Sequence, residues 1–296
     1  MGLGWPVAPM KGVLGSLPHD DQGWAYEIKF DGWRAIAHVD GGRLRLQSSS
    51  GLDLTASFPE LAALGAAINA DRALLDGELV VLDDTGRPNF GLLQAHTRPA
   101  AFYAFDVLAV GDTDIIDLPY EARRALLTEL VEPGTHWLVP THRVGGGAEL
   151  VAATDAQGLE GVMAKRLGSP YRPGARSKDW VKIKHRRTVE LVVGGWRAGA
   201  GNRAGTLGAL LVGVPDDARL RFAGGVGTGF TQATLDQLRD LLAPLRTDTC
   251  PFDPPPPRAE ARDATWVRPE VRIRAEIAEF TNDGHLRHAS FIALVE

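Results

Sequence analysis

Two periodicities alternate along the first two thirds of the chain. Runs with period-two alternation, or short continuous apolar character, predict strands over residues 24–30, 44–47, 74–82, 101–108, 161–165 and 180–183. Between them, apolar positions three and four apart predict helices over 58–68, 120–131 and 148–157, with Ala122, Leu126, Leu127 and Leu130 as the apolar stripe of the second. This interleaving reads as a mixed α/β domain. After Arg187 the texture becomes β-rich and glycine-rich, with strands predicted over 189–195, 206–214 and 220–223. One helix interrupts them at 232–242, with Thr231 as N-cap and Pro244 as breaker. Residues 251–257 form an extended proline-rich connector. Beyond it, 266–280 alternates as a strand, with Val271, Ile273, Ala275 and Ile277 on one face and Arg272, Arg274 and Glu276 on the other. Five strands and a helix in this stretch suit a small OB-type barrel, and a generic antiparallel barrel would read the same.

Composition is that of an ordinary globular protein, 44% hydrophobic and 23% charged over 296 residues. Pro6, Pro9 and Pro18 break the first twenty residues, and no apolar run is long enough to span a bilayer, so no membrane association and a cytoplasmic location are expected. Cys250 stands alone and can form neither an internal disulfide nor a thiol-based metal site. A net charge of −5 argues mildly against a nucleic-acid partner. Its distribution argues the other way: between Glu160 and Arg187 nine cations stand against two acids. Arg172, Arg176, Lys178 and Arg186 in this strip are the candidate DNA-phosphate contacts.

In Ala25-Tyr26-Glu27-Ile28-Lys29-Phe30-Asp31-Gly32, alternation places Glu27, Lys29 and Asp31 on one strand face. A lysine between two carboxylates also describes a plain solvated strand with local ion pairing. The continuation Gly32-Trp33-Arg34 completes a K-x-D-G-x-R pattern, and here the sequence resembles the covalent nucleotidyltransferases, in particular the ATP-dependent DNA ligases. The resemblance continues through Asp76-Gly77-Glu78, Tyr103-Ala104-Phe105-Asp106, Glu160-Gly161-Val162-Met163-Ala164-Lys165 and Trp180-Val181-Lys182-Ile183-Lys184. Trp266-Val267-Arg268-Pro269-Glu270 and Gly284-His285-Leu286-Arg287-His288 resemble the C-terminal stretch of bacterial ligases of the C and D repair type.

The resemblance implies an α+β nucleotidyltransferase (adenylation) domain over 1–187 followed by an all-β OB-fold domain over 188–296, with a hinge near residues 186–189. It implies ATP and Mg²⁺ (or Mn²⁺) as cofactors and nicked double-stranded DNA as substrate. A monomer that works with a DNA-repair partner protein is the expected form. Lys29 would carry AMP, and Asp31 would assist the metal or the 3′-hydroxyl in the last step. Glu27 would read the adenine edge, Phe105 would stack on adenine, and Arg34 would hold ribose or the 5′-phosphate. Glu78 would contact ribose or metal, Glu160 metal, and Lys165 a nucleotide phosphate.

An unperturbed lysine, with a pKa of about 10.4, is protonated at neutral pH and is no nucleophile. Lys182 and Lys184, two apart on one strand face, can disfavour a charged Lys29 and bind the α-phosphate. Alternating lysines also protect an edge strand from aggregation.

Two departures from the family pattern stand out. Ser49 occupies the place of a customary arginine, and the chain ends Ala293-Leu294-Val295-Glu296 without the usual R-x-D-K motif, leaving Arg287 or Arg274 as substitutes. Competing readings are an RNA ligase or capping-type nucleotidyltransferase, and a DNA-binding repair scaffold that no longer adenylates. Gly224 to Gly229 lacks the Lys-Ser/Thr of a phosphate loop and reads as a barrel turn, while His136, His142, His285 and His288 show no zinc spacing.

Overall fold

The structure is a computed structural model that describes residues 4–199, 207–217, 219–281 and 283–295. The chain divides into two compact units, Met1–His185 and Arg186–Glu296.

The first unit holds two facing sheets. Its strands are β1 (Lys11–Leu14), β2 (Trp24–Ile28), β3 (Trp33–Asp40), β4 (Arg43–Ser48), β5 (Arg72–Val80), β6 (Ala101–Val110), β7 (Thr113–Asp114), β8 (Trp137–Leu138), β9 (His142–Val144), β10 (Gly161–Arg166) and β11 (Arg176–Lys184). One sheet runs β1-β11-β10-β2-β9, and the other runs β4-β3-β5-β6-β7 with β8 beside β6. Apolar residues from both sheets share one core, Ile36, Leu74 and Leu108 meeting Met10, Tyr171 and Trp180. The opposite face of the second sheet buries Ala35, Ala37, Leu75 and Phe102 against Leu61, Leu64 and Leu127. The outer face of the first packs Tyr26, Val162 and Ile183 against Leu150 and Val151 of a helix, Gly147–Ala156.

Because β3 is covered on both faces, Ala35-Ile36-Ala37 is continuously apolar and lacks the alternation that betrays a half-buried strand; it was absent from the predicted elements for that reason. The helix predicted over 58–68 is a 3₁₀ segment, Pro59–Ala67. The helix Tyr120–Leu130 is as expected, but not its stripe: Leu126 is exposed, while Arg123 and Arg124 are buried. Arg123 forks onto buried Asp106 at 2.8 and 2.9 Å and donates to the Ser169 carbonyl at 3.0 Å. A binary hydrophobic pattern cannot see an arginine whose donors are satisfied inside the fold.

The second unit is all-β apart from short helical pieces, an OB-type fold. Its strands are β12 (Arg187–Ala198), β13 (Leu207–Asp216), β14 (Arg219–Val226), β15 (Arg246–Thr247), β16 (Ala264–Ile277), β17 (Glu279–Phe280), β18 (Leu286–Arg287) and β19 (Ser290–Val295). The main sheet has the order β14-β13-β12-β16-β15, with β19 also on β16. Thr206, predicted to start a strand, lies outside the described residues. In β16 the predicted alternation holds, Val271, Ile273, Ala275 and Ile277 facing the core. The helix Gln232–Leu242 is capped by Thr231, whose hydroxyl accepts from the Thr234 amide at 3.1 Å, and it buries Leu235, Leu238 and Leu242.

Candidate active site

The strand β2 ends at Ile28, so Lys29 to Gly32 are not on a strand face as the alternation suggested. They form the crossover by which the chain leaves the first sheet and enters the second at Trp33. Consequently Ile28 and Phe30 line the same cleft as Glu27 and Lys29, and the two-faced reading fails at this point. The Lys29 amide still donates to the Gly161 carbonyl at 2.9 Å, anchoring the lysine's backbone to the start of β10. Gly32 lies so close to β5 that a β-carbon would collide with the Leu79 carbonyl oxygen. A second glycine with a steric requirement is Gly161, at φ +145°, where a β-carbon would strike the Ile183 carbonyl.

The crossover borders a cleft of about 240 Å³. Residues 9–12 form one wall; Arg34, Glu78, Phe105, Met163, Lys165, Trp180 and Lys182 contribute from the two sheets, and Ser49 also lines the cleft. Asp31 is not among the lining residues, nor are Glu160 and Lys184.

Lys29 Nζ is ion-paired with Glu160, whose other oxygen accepts from Lys184 Nζ at 2.7 Å. Burial acts to raise the Glu160 carboxyl, but Lys29 and Lys184 outweigh it and hold it below its ordinary value. Among the described residues Lys182 has no such carboxylate partner; burial first, then repulsion from Lys29, Arg176, Lys184 and Arg34, depresses its ammonium. So the paired lysines divide their work, Lys184 serving Glu160 and Lys182 facing the cleft.

Glu27 and Lys165 are both buried and joined at 2.7 Å, and the Tyr120 hydroxyl donates to the second Glu27 oxygen. Burial opposes ionisation of Glu27, yet Lys165 and Arg124 keep its carboxyl below the usual range. Lys165 also donates to the Phe105 carbonyl at 3.3 Å and lies 4.3 Å from the Phe105 ring centre and 4.4 Å from that of Trp180. Both carboxylate oxygens of Glu27 and two of the three Lys165 donors are thus engaged within the protein.

Arg34 sits 4.4 Å over the Phe105 ring and forks onto buried Asp76, two bonds of 2.5 Å. The fork expected to grip a ligand is therefore occupied by a side chain that spacing alone did not pair with it. Glu78, directly across from Arg34 in the β3/β5 register, has its carboxyl pushed up to about 7, by burial first and by Asp76 and Glu160 in addition; Arg34 and Lys29 oppose the rise through space. Glu78 and Glu160 both act on the surroundings of Lys29, and their hard oxygens suit an ion such as Mg²⁺ that takes one or two protein carboxylates and fills its remaining positions with water and phosphate. Among the described residues no group of three or more His, Cys, Asp or Glu gathers as a self-sufficient metal cage.

Of the candidate DNA contacts, Arg172, Arg176 and Lys178 are exposed on the first unit, Arg176 also donating to the Gly12 carbonyl at 3.0 Å. Arg186, in the second, is ion-paired with Glu276. No helix among the described residues is long and apolar enough to cross a membrane.

A two-sheet domain whose intersheet crossover delivers a lysine to a basic, aromatic-walled cleft, followed by an OB-type unit, has the architecture of a covalent nucleotidyltransferase. The ATP dependent DNA ligase domain family matches residues 10–184, and the ATP dependent DNA ligase C terminal region matches 203–296. The chain belongs to the ATP-dependent DNA ligase family. It is 43% identical over 291 residues, 98% of its length, to the multifunctional non-homologous end joining DNA repair protein LigD of Mycobacterium tuberculosis, of which it spans 38%. It is 34% identical to DNA ligase C1 of Mycolicibacterium smegmatis, with 90% of this chain and 81% of that one covered. A solved structure of mycobacterial DNA ligase D complexed with ATP and MES is similar at 40% identity and a TM-score of 0.59, covering 98% of this chain and 95% of that one.

Proposed function

We propose that this chain seals nicks in double-stranded DNA through a lysyl-AMP intermediate on Lys29, in end-joining repair of the kind named for its LigD relatives, which are more than twice its length. The observation that carries the reading is the placement of Lys29, held by the crossover at a cleft whose other walls supply Arg34, Phe105, Lys165 and Lys182. In the first step Lys29 Nζ attacks the α-phosphorus of ATP, a P–N bond forms, the bond to pyrophosphate breaks, and the amine proton passes to solvent. AMP then moves to the nick's 5′-phosphate, restoring the amine. Attack by the 3′-hydroxyl closes the strand and expels AMP.

Before the first step Lys29 must leave its Glu160 ion pair and give up one proton to solvent, since an ammonium has no lone pair to offer. Lys182, the cleft-facing cation, offsets charge on the α-phosphate. Phe105 gives the purine an apolar wall beside Glu27, and Arg34 keeps one guanidinium nitrogen beyond its Asp76 fork for ribose or phosphate. Glu78 and Glu160 would hold Mg²⁺, which supplies charge neutralisation at phosphate. Arg172, Arg176 and Lys178 extend the cationic surface toward the DNA backbone. Asp31 serves the 3′-hydroxyl step, and a repair partner delivers the monomeric enzyme to breaks.

The test is incubation of AMP-stripped protein with α-³²P-ATP and Mg²⁺, wild type against Lys29→Ala, on a denaturing gel. An acid-labile label on wild type alone is the expected result. Absence of label on wild type, with nick binding retained, would replace this reading by that of a DNA-binding scaffold.

A further inference from the structure

The nucleotide cleft is held from behind by a closed ring of polar contacts centred on Tyr171. The Tyr171 hydroxyl donates to Asp76 Oδ2 at 2.6 Å and accepts from the Met10 amide at 2.8 Å. Asp76 receives both arms of the Arg34 fork, and Arg34 Nη2 returns to the Met10 carbonyl at 3.3 Å. Tyr171 and Asp76 are buried, at 1% and 0% exposure, so water cannot stand in for a missing member. Two cleft walls meet in this ring: the strap around Met10 from the first sheet, and Arg34 from β3 of the second. The strap is tied once more, by Gln47, whose amide side chain accepts from the Val7 amide at 2.8 Å and donates to its carbonyl at 2.7 Å.

From this geometry we infer that Tyr171 is a positioning residue for nucleotide binding: through Asp76 it fixes the Arg34 guanidinium over Phe105, while its bond from the Met10 amide supports the fold. Asp76 alone leaves Arg34 rotational choice, because a carboxylate accepts a fork from several directions. The phenol pins one oxygen of Asp76, and its ring meets Trp180 edge-on at 5.7 Å, which fixes the phenol in turn. The Met10 bond serves the fold whether or not Arg34 is present; the Asp76 bond serves Arg34.

This inference rests on the adenylation reading, and a double-mutant cycle separates the two. ATP affinity is measured by calorimetry with a non-hydrolysable α,β-methylene analogue, and melting temperature is recorded alongside, for wild type, Tyr171→Phe, Arg34→Ala and the double variant. Tyr171→Phe should weaken analogue binding about five-fold, the worth of one hydrogen bond. In the Arg34→Ala background the same change should cost less than two-fold, while the drop in melting temperature stays similar in both. Equal losses of affinity in both backgrounds would reduce Tyr171 to a structural support and overturn the inference, as would no loss in the first. Wild type that binds no analogue would overturn the adenylation reading and this inference with it. If Tyr171→Phe does not fold, 3-fluorotyrosine placed at position 171, which changes the donor strength of the hydroxyl while keeping both of its hydrogen bonds, takes its place in the cycle: a change in analogue affinity that disappears once Arg34 is gone is expected, and an equal change in both backgrounds, or none in the first, overturns the inference.

Discussion

Glu78 carries the consequence that a pH titration can reach. Its carboxyl, at about 7 in the folded protein against 4.5 ordinarily, binds a proton more tightly folded than unfolded, chiefly because the fold strips water from this partly buried group. Ionising it therefore costs the fold: its contribution to stability is greatest below 4.5 and falls as pH rises toward and through about 7. In metal-free protein, the melting temperature of Glu78→Gln should gain on wild type as pH is raised from about 5 to about 8. Parallel curves for the two proteins would show that the partly buried Glu78 carboxyl does not hold its proton more tightly in the fold. At this scale the gathering of the candidate residues was legible, because Lys29, Arg34, Glu78, Phe105, Lys165 and Lys182 sit in a recognisable order and all line one cleft. Their pairings were not. Nothing in spacing links Lys29 to Glu160, Glu27 to Lys165, or Arg34 to Asp76 and onward to Tyr171, since each pair is closed by segments distant in sequence.

The element that makes the site is the four-residue crossover between β2 and β3. Period-two alternation extended the strand through Phe30, whereas the chain quits the sheet after Ile28 because it must pass to the facing sheet. Gly32 allows that passage against the Leu79 carbonyl. Gly32→Ala should lower unfolding free energy by about 2 kcal/mol through forced displacement of backbone, and should reduce lysyl-AMP formation as Lys29 shifts with it. A urea melt indistinguishable from wild type would show that the crossover has room to spare. The amphipathic helix Gln232–Leu242 and the alternating strand β16 were legible because each has one wet face. Strand β3, dry on both faces, was missed for the converse reason, and the buried face of the helix Tyr120–Leu130 was misplaced because two of its buried residues are arginines.

For the whole molecule, the acidic net charge and the basic strip make opposite claims about DNA, and local charge decides because salt screens distant repulsion within about 10 Å. Nicked-duplex affinity should fall steeply with salt. Replacing Arg172, Arg176 and Lys178 by glutamine should flatten the slope of log K against log salt by up to about 3, one phosphate contact each. An unchanged slope would take this strip off the DNA path. By itself the sequence determined the α+β unit, the β-rich unit after it and the family, because these are carried by local periodicity and by short motifs whose residues are near neighbours. Only the tertiary structure decided that Arg34 is forked onto Asp76, that Glu160 holds Lys29, and that Tyr171 ties Met10 to Asp76. A buried polar group takes whichever partner the folded sheets bring within hydrogen-bond reach, and that distance is set by packing across the chain rather than by position along it.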